Sequence, residues 1–306
     1  MTEPLVCISV LNWNKPKKTM ECIESLRALK YTNYIIVVTD NASTDNSFEL
    51  LQLSFPEIHV IRNQTNTGYA GGHYQALNYA ETIGAELFWV LNNDLLVEQN
   101  TLFCLAKHYL RHSGHIYGSV PFFNGLPQSI TLWSVNNGRV DFDSKLAVED
   151  FFATNGQPLA TSEYLELANV HGSSMLIPLN IVEQHGFLDK SFFMYAEEIE
   201  FCFRLLSKGI TSHLVLSSRV VHESGGSTND NAKTKQIMSY YQRRNFLVVL
   251  RRYRGWPFYL ELQKTYFKEF IVRIVKGKRV DRYKMLGCLH ALIGLMGKRL
   301  SNESLS

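Results

Sequence analysis

Four polar clusters in the first hundred residues each follow a short apolar run, and each carries side chains able to do chemistry: Asn12-Trp13-Asn14, Asp40-Asn41-Ala42-Ser43-Thr44-Asp45, Asn66-Thr67-Gly68-Tyr69-Ala70-Gly71-Gly72 and Asn92-Asn93-Asp94. A carboxylate at Asp40, closing an apolar run, can accept the imide N–H of a uracil or thymine; an Asx-turn or helix cap is the alternative, and Asp45 serves equally as a plain N-cap. The glycine-rich stretch precedes a helical pattern, so it lets a ligand approach the backbone and offers N–H groups at a helix start, unless it is only an entry turn. Its spacing is not the G-x-G-x-x-G of a dinucleotide site. Asn92-Asn93-Asp94 sets oxygen ligands where a hard divalent cation could bridge to a diphosphate, or else forms an ordinary polar turn.

Two later groups extend the list. Phe192-Phe193-Met194-Tyr195-Ala196 leads into Glu197, Glu198 and Glu200. One of these acids can act as a base; alternatively they are negative charges favoured at a helix start, and for Glu200 a pair with Arg204 four residues on is the preferred reading. His222 follows an apolar stretch from Leu214 and precedes Glu223 and a Gly/Ser run, so a neutral imidazole could complete a metal site with Asp94. His171 and His185 read as structural.

The elements that must position these residues follow from apolar periodicity. Strands are expected at Leu5–Leu11, Tyr34–Thr39, Glu57–Ile61 and Glu86–Leu91, with helices over Lys17–Lys30, from Asp45 through Leu51, and over Ala70–Ile83. Strand–helix alternation of this kind gives a parallel, doubly wound sheet, whose ligands bind outside the carboxyl ends of the strands, where all four polar clusters fall. Residues 115–168 read as an antiparallel insertion with alternation at Ile130–Val135. A strand at Ser173–Pro178, a helix opening near Glu197 and a strand at Ser212–Leu216 follow, and beyond Asn229 the chain is helical, basic and aromatic. Arg243, Arg244, Arg251, Arg252 and Arg254 among Phe246, Leu247, Tyr253, Trp256 and Phe258 suit an anionic membrane surface or, alternatively, ordinary packing of terminal helices.

With 306 residues, the chain can bury the core of one large α/β domain or of a domain with an appendage. Its 45% hydrophobic, 12% aromatic and 19% charged content excludes a disordered chain, and a net charge of +3 gives no argument for nucleic acid. Five scattered cysteines without a C-x-x-C pair point to a reducing compartment. The opening MTEPLVCISVLNW reads as a first strand and not a signal peptide, so a cytoplasmic protein is expected. No apolar stretch approaches the ~20 residues that span a bilayer, so any membrane contact would be peripheral, on the inner face of the cell membrane.

In order and spacing, these motifs, together with His171-Gly172-Ser173-Ser174-Met175-Leu176-Ile177, Gly186-Phe187-Leu188-Asp189, Phe193-Met194-Tyr195-Ala196-Glu197-Glu198 and His222, resemble the family 2 glycosyltransferases of the GT-A fold, over about residues 4–250. The rhamnosyltransferase-like branch acting in cell-surface polysaccharide (O-antigen) assembly is the most similar. The resemblance implies a Rossmann-like mixed sheet flanked by helices over residues 1–228, with a nucleotide-binding half (1–100) and an acceptor and catalytic half (101–228), followed by a helical region (229–306). It implies that Asp40 holds the pyrimidine and that Asn12, Trp13, Asn14, Asn41, Asn66, Gly68, Gly71, Asn92 and Asn93 surround the nucleotide-sugar. Asp94 and His222 would hold Mg²⁺ or Mn²⁺, and Glu198 would be the base. Donor and acceptor would be dTDP-rhamnose or a UDP-sugar and a glycan or polyprenyl-diphosphate-linked hydroxyl, joined by direct inverting displacement. Two departures stand out. The metal motif is often Asp-x-Asp where this chain has Asn92-Asn93-Asp94, and the acid pair often ends in Asp, so that either Glu197 or Glu198 could reach the acceptor. Two rival readings are a non-catalytic sugar-nucleotide-binding module and a sugar nucleotidyltransferase; the latter would need a Gly-rich, Lys/Arg-bearing phosphate loop after the first strand, which the sequence does not contain.

Overall fold

The computed structural model describes residues 3–128, 130–159, 163–222 and 232–300. Alternating strand and helix formers build its first part: β1 (Val6–Asn12), α1 (Pro16–Arg27), β2 (Tyr34–Asp40), α2 (Ser47–Ser54), β3 (His59–Arg62), α3 (Gly68–Gly72), α4 (Tyr74–Thr82) and β4 (Leu87–Asn92). β1 pairs in parallel with both β2 and β4, and β2 with β3. β1 and β4 are apolar runs buried on both faces, as central parallel strands must be. The register sets Asn12 opposite Asp40 and Leu11 opposite Asn92, so the polar clusters end their strands at one edge.

The remaining strands widen this sheet. β5 (Leu95–Val97), α5 (Thr101–Arg111), β6 (Ile116–Phe123) and β7 (Leu126–Pro127) come next, then a hairpin of β8 (Thr131–Asn136) and β9 (Arg139–Ala147). β10 (Tyr164–Leu167), β11 (Ser174–Pro178), α6 (Leu179–His185), α7 (Glu197–Leu206) and β12 (Ser212–His222) complete the mixed sheet, in the order β10-β12-β6-β11-β4-β1-β2-β3. β11 runs antiparallel between β4 and β6. Only the hairpin is the antiparallel insertion expected for residues 115–168; β6 and β10 belong to the main sheet, where β6 pairs with β11 and β12 and β10 pairs with β12.

Other expectations need adjustment. Helices α5 and α6 were not foreseen, and the helix over Ala70–Ile83 divides at His73 into α3 and α4. β12 continues six residues past the expected end at Leu216, to His222. It pairs with β6 on both sides of an irregularity between Val215 and Arg219, and its other edge passes from β10 to β5, with His222 opposite Leu95.

Apolar clusters fill both faces of the sheet. A third ties α8 (Ala232–Tyr253), α9 (Trp256–Val275) and α10 (Arg282–Ile293) to Trp133, Phe192 and Phe203. Much of the basic stretch that suited a membrane is therefore used in packing. Arg244, Tyr240 and Leu247 are buried, Arg252 bridges Asp189 and Glu200, and Arg254 pairs with Asp143. Among the described residues, no helix is long and apolar enough to cross a membrane.

Candidate active site

At the strand ends the polar clusters bond to one another before they meet any ligand. Asp40 is fully buried, its Oδ1 accepting from Asn12 Nδ2 at 2.9 Å and Ser43 Oγ at 2.5 Å, its Oδ2 from the Ser43 N–H at 3.0 Å. Asn12 Oδ1 accepts from Thr19 Oγ1, which accepts in turn from Asn93 Nδ2 at 2.8 Å, so three of the four clusters form one chain of hydrogen bonds. Asn14 adopts a left-handed φ of 54° and accepts from the Thr44 N–H through Oδ1. Trp13 projects from this edge, 43% exposed.

Asn41 stitches the second cluster to the third. Its Nδ2 donates to Asn66 Oδ1 and Gly68 O, and its Oδ1 accepts from Asn63 Nδ2 and the Thr67 N–H. Contrary to expectation, the N–H groups at the start of α3 are occupied: Gly68 N–H donates to Asn66 Oδ1 and Tyr69 N–H to Phe193 O at 2.6 Å. The glycines here answer to packing. Gly68 sits at φ 76°, where a Cβ would lie 2.0 Å from Phe193 O, and a Cβ on Gly71 would lie 2.7 Å from Thr67 Cβ.

The metal expectation rests on two residues that the fold brings together from far apart. Asp94 follows β4 and His222 ends β12; Nε2 of the ring lies 3.7 Å from Asp94 Oδ1. Gln128, which the sequence reading passed over, accepts from His222 Nδ1 at 2.9 Å. With the proton on Nδ1, the Nε2 lone pair is left facing Asp94, the arrangement by which outer-shell acceptors orient ligating imidazoles. Asp94 Oδ1 is buried without a hydrogen-bond partner, so the site has an acceptor to spare for a cation. Burial acts to raise the Asp94 carboxyl, but positive charge on Lys15, and on His222 when its ring is protonated, outweighs it and holds it below the usual range. No group of three or more His, Cys, Asp and Glu among the described residues could hold a metal alone, so further oxygens would have to come from ligand or water. Glu223 and the Gly/Ser run beyond it lie outside the described residues.

The acids complete the site from the other side. Glu197 and Glu198 open α7, and Glu198 lies over Gly172, whose absent side chain leaves room: a Cβ there would come within 3.0 Å of Glu198 Cγ. Burial pushes the Glu197 carboxyl well above the carboxylate range, reinforced by the charge of Glu198. Burial likewise raises Glu198, partly opposed by the N–H groups of Glu198 and Ile199. Glu197 Oε2 is buried without a partner. A carboxyl tuned upward in this way suits proton transfer near neutral pH. Tyr69 donates to Gly172 O at 2.6 Å, and burial together with the charges of Glu197, Glu198 and Asp94 drives its hydroxyl well above its ordinary value. His171, treated as structural in the sequence, is half-buried, and desolvation, with a smaller push from His222, holds its ring down to about 4. Glu200 keeps its preferred role, pairing with Arg204 and Arg252 and accepting from Tyr253 OH at 3.0 Å.

Comparison with known proteins agrees with this geometry. Residues 6–152 match the family described as Glycosyl transferase family 2. The chain is 30% identical over 176 residues to the low-salt glycan biosynthesis hexosyltransferase Agl10 of Haloferax volcanii, covering 57% of this chain and 54% of that protein. It thus spans about half of that relative's length, but a dTDP-rhamnosyl transferase, RfbF of Shigella flexneri, is 22% identical over 296 residues, or 94% of each chain. A mannosyltransferase from Pyrobaculum calidifontis in complex with GDP-Man and Mn²⁺ superposes with a TM-score of 0.58 at 15% identity, covering 96% of this chain and 75% of that one. A structure of GalNAc-T7 with UDP, GalNAc and Mn²⁺ superposes at 0.59 with 14% identity, covering 82% and 48%. The mixed sheet flanked by helices is therefore a GT-A fold.

Proposed function

We propose that this chain, whose residues 6–152 match the family described as Glycosyl transferase family 2, carries out inverting sugar transfer from a nucleotide-diphosphate donor to a hydroxyl of a glycan or lipid-linked acceptor, in cell-surface polysaccharide synthesis. The observation that carries this reading is the meeting of Asp94 and His222 on one side of the site, with the buried Glu197 and half-buried Glu198 on the other. Residues 1–100 serve as the donor half, 101–228 as the acceptor and catalytic half, and 229–306 as a helical extension. The full-length match to a dTDP-rhamnosyl transferase favours a thymidine donor over a UDP-sugar.

The donor's base lies among Asn12, Trp13, Asn14, Asp40 and Asn41, with Asn66, Gly68, Gly71, Asn92 and Asn93 shaping the remainder of its cleft. Asp40, closed inside its own hydrogen bonds, exchanges one of them for the base. Asp94 and His222 are the residues that would hold Mg²⁺ or Mn²⁺, whose positive charge offsets the charge developing on the departing diphosphate. Glu198, in its carboxylate form, takes the proton from the acceptor hydroxyl as its oxygen attacks the anomeric carbon from the face opposite the nucleotide. Burial keeps its affinity for that proton high.

We place the chain in the cytoplasm, touching the inner face of the membrane. The contact surface is not the Arg243–Arg254 stretch of α8 but the outer face of α9 and α10, where Ile271, Ile274, Val275 and Ile293 are exposed among Lys264, Lys268, Arg273 and Lys276. Titration calorimetry of UDP and dTDP with and without Mn²⁺, followed by donor turnover in Glu198→Gln, tests the catalytic reading. Metal-dependent nucleotide binding with turnover lost and binding kept is expected. Wild-type turnover in Glu198→Gln would remove the base assignment, and absence of nucleotide binding would return the chain to a module without this activity.

A further inference from the structure

The segment between Phe192 and Glu197 is bent against its own stereochemistry. Phe193, Tyr195 and Ala196 have φ of 63°, 67° and 65°, and none of them is glycine. A side chain in this region crowds its own carbonyl, and such residues persist only where surrounding structure over-determines them. This segment delivers Glu197 and Glu198 to the first turn of α7. Much of what holds it comes from α8. Asn245 is fully buried, and its Nδ2 donates to Phe192 O at 2.8 Å, Met194 O at 2.7 Å and Tyr195 O at 2.9 Å. The left-handed turns aim these carbonyls at one point, where one amide with two N–H groups serves three acceptors. Arg244, also fully buried, donates through Nε to Asn245 Oδ1 at 2.8 Å, fixing which end of the amide faces the loop, and through Nη2 to Phe192 O at 3.2 Å. Its Nη1 reaches Gly297 O at 2.8 Å, and Gly297 N–H donates back to Ser191 O at 2.6 Å. Further along α8, Arg252 spans Asp189 and Glu200, on either side of the strained segment.

We propose that Asn245, oriented by Arg244, is a positioning residue that holds residues 192–196 in their left-handed conformation and so sets the acid pair over the acceptor. The inference rests on the reading of Glu197 and Glu198 as the acids of sugar transfer. It gives α8 a role in turnover, because the Asn245 contacts lie on the loop that carries the acids.

The test compares Asn245→Ala with Gln263→Ala. Gln263 is a buried amide of the same helical layer, bonded to Tyr259 and to Cys288 O, and is not bonded to the loop. Two measurements decide: hydrogen exchange of the peptide covering 190–199, and Mn²⁺-dependent release of nucleotide from dTDP-rhamnose or UDP-glucose with water as acceptor. Asn245→Ala should exchange faster at 193–197 and lose about 30-fold in kcat with donor KM within about twofold. Gln263→Ala should show neither change at matched loss of thermal stability. Adding Ala196→Gly to Asn245→Ala should return part of the lost kcat, since glycine takes φ 65° without crowding. Should the alanine variant not fold, Asn245→Asp keeps the volume and the Arg244 contact while removing the N–H donors, and is read in the same way. Equal kcat and equal loop exchange in the Asn245 and Gln263 variants would overturn the proposal. Full turnover in Glu198→Gln would sink the base reading alone, leaving exchange at 193–197 to decide whether Asn245 holds the loop.

Discussion

Substituting Gly68 by alanine should be among the most damaging single-methyl changes in the chain, and the structure gives the size of the effect. At φ 76° an alanine pays roughly 1–2 kcal/mol for the left-handed conformation. Its Cβ would stand 2.0 Å from Phe193 O and 2.6 Å from the Phe193 ring, so the strained loop must move, at about 1–3 kcal/mol for overpacking. Moving it breaks the Tyr69 N–H bond to Phe193 O, worth about 1 kcal/mol. The total is about 4 kcal/mol. Gly84 is the control: its φ is 66° but nothing lies within 4 Å of its Cβ position, so Gly84→Ala should cost only the conformational part, about 1 kcal/mol. At roughly 2 °C per kcal/mol for a chain of this size, thermal scans should show Tm falling by about 8 °C and about 2 °C respectively. Donor turnover should collapse in the first variant and persist in the second. Equal Tm losses in the two variants would refute the claim that the donor-side loop and the acid loop are locked together at Gly68.

Chelating divalent metal should abolish nucleotide binding, and Gln128→Ala, which frees His222 Nδ1, should weaken Mn²⁺ affinity by about 10- to 100-fold in calorimetry, with unchanged affinity counting against the proposed site. Stability should fall with acid, because burial holds His73 and His213 down to about 3 and His108 to about 4. Unfolded imidazoles take protons from about pH 6.5, so stability is complete above that pH and drains away toward pH 3–4, by on the order of 2 kcal/mol per ring at pH 5. Denaturant midpoints that stay level between pH 7.5 and 5 would contradict this. Anionic vesicles should sediment the protein more strongly than neutral ones, and Ile271→Asp with Val275→Asp should lower that binding about tenfold; undiminished sedimentation would remove the α9–α10 surface from consideration.

Much of the nucleotide half could be read locally. β1, β2 and β4 are runs of apolar, strand-forming residues ending in Asn12, Asp40 and Asn92, and a strand that ends in a polar cluster carries its own address in a parallel sheet. Helices α5 and α6 escaped because α5 mixes His108, Lys107 and Arg111 into a short apolar stripe and α6 is only seven residues long. The full length of β12 was hidden by the irregularity after Val215, where strand alternation breaks for reasons of pairing with β6 and β5. Arg243, Arg244 and their neighbours carried a misleading signal, since a basic, aromatic segment has the same composition whether its arginines meet lipid or buried carbonyls.

By itself the sequence determined the alternating strands and helices of the nucleotide half and the chemistry at their strand ends, because periodicity and turn residues act within a few positions. It also singled out Asp94, His222, Glu197 and Glu198 as residues worth bringing together. Only the tertiary structure decided that Asp94 and His222 meet, because a late strand pairs with β5, and that the acids sit behind a left-handed loop. Gln128 and Asn245 had no signature at all. An amide looks the same in any sequence, and its role is fixed by which distant imidazole or carbonyl the fold sets within about 3 Å of it.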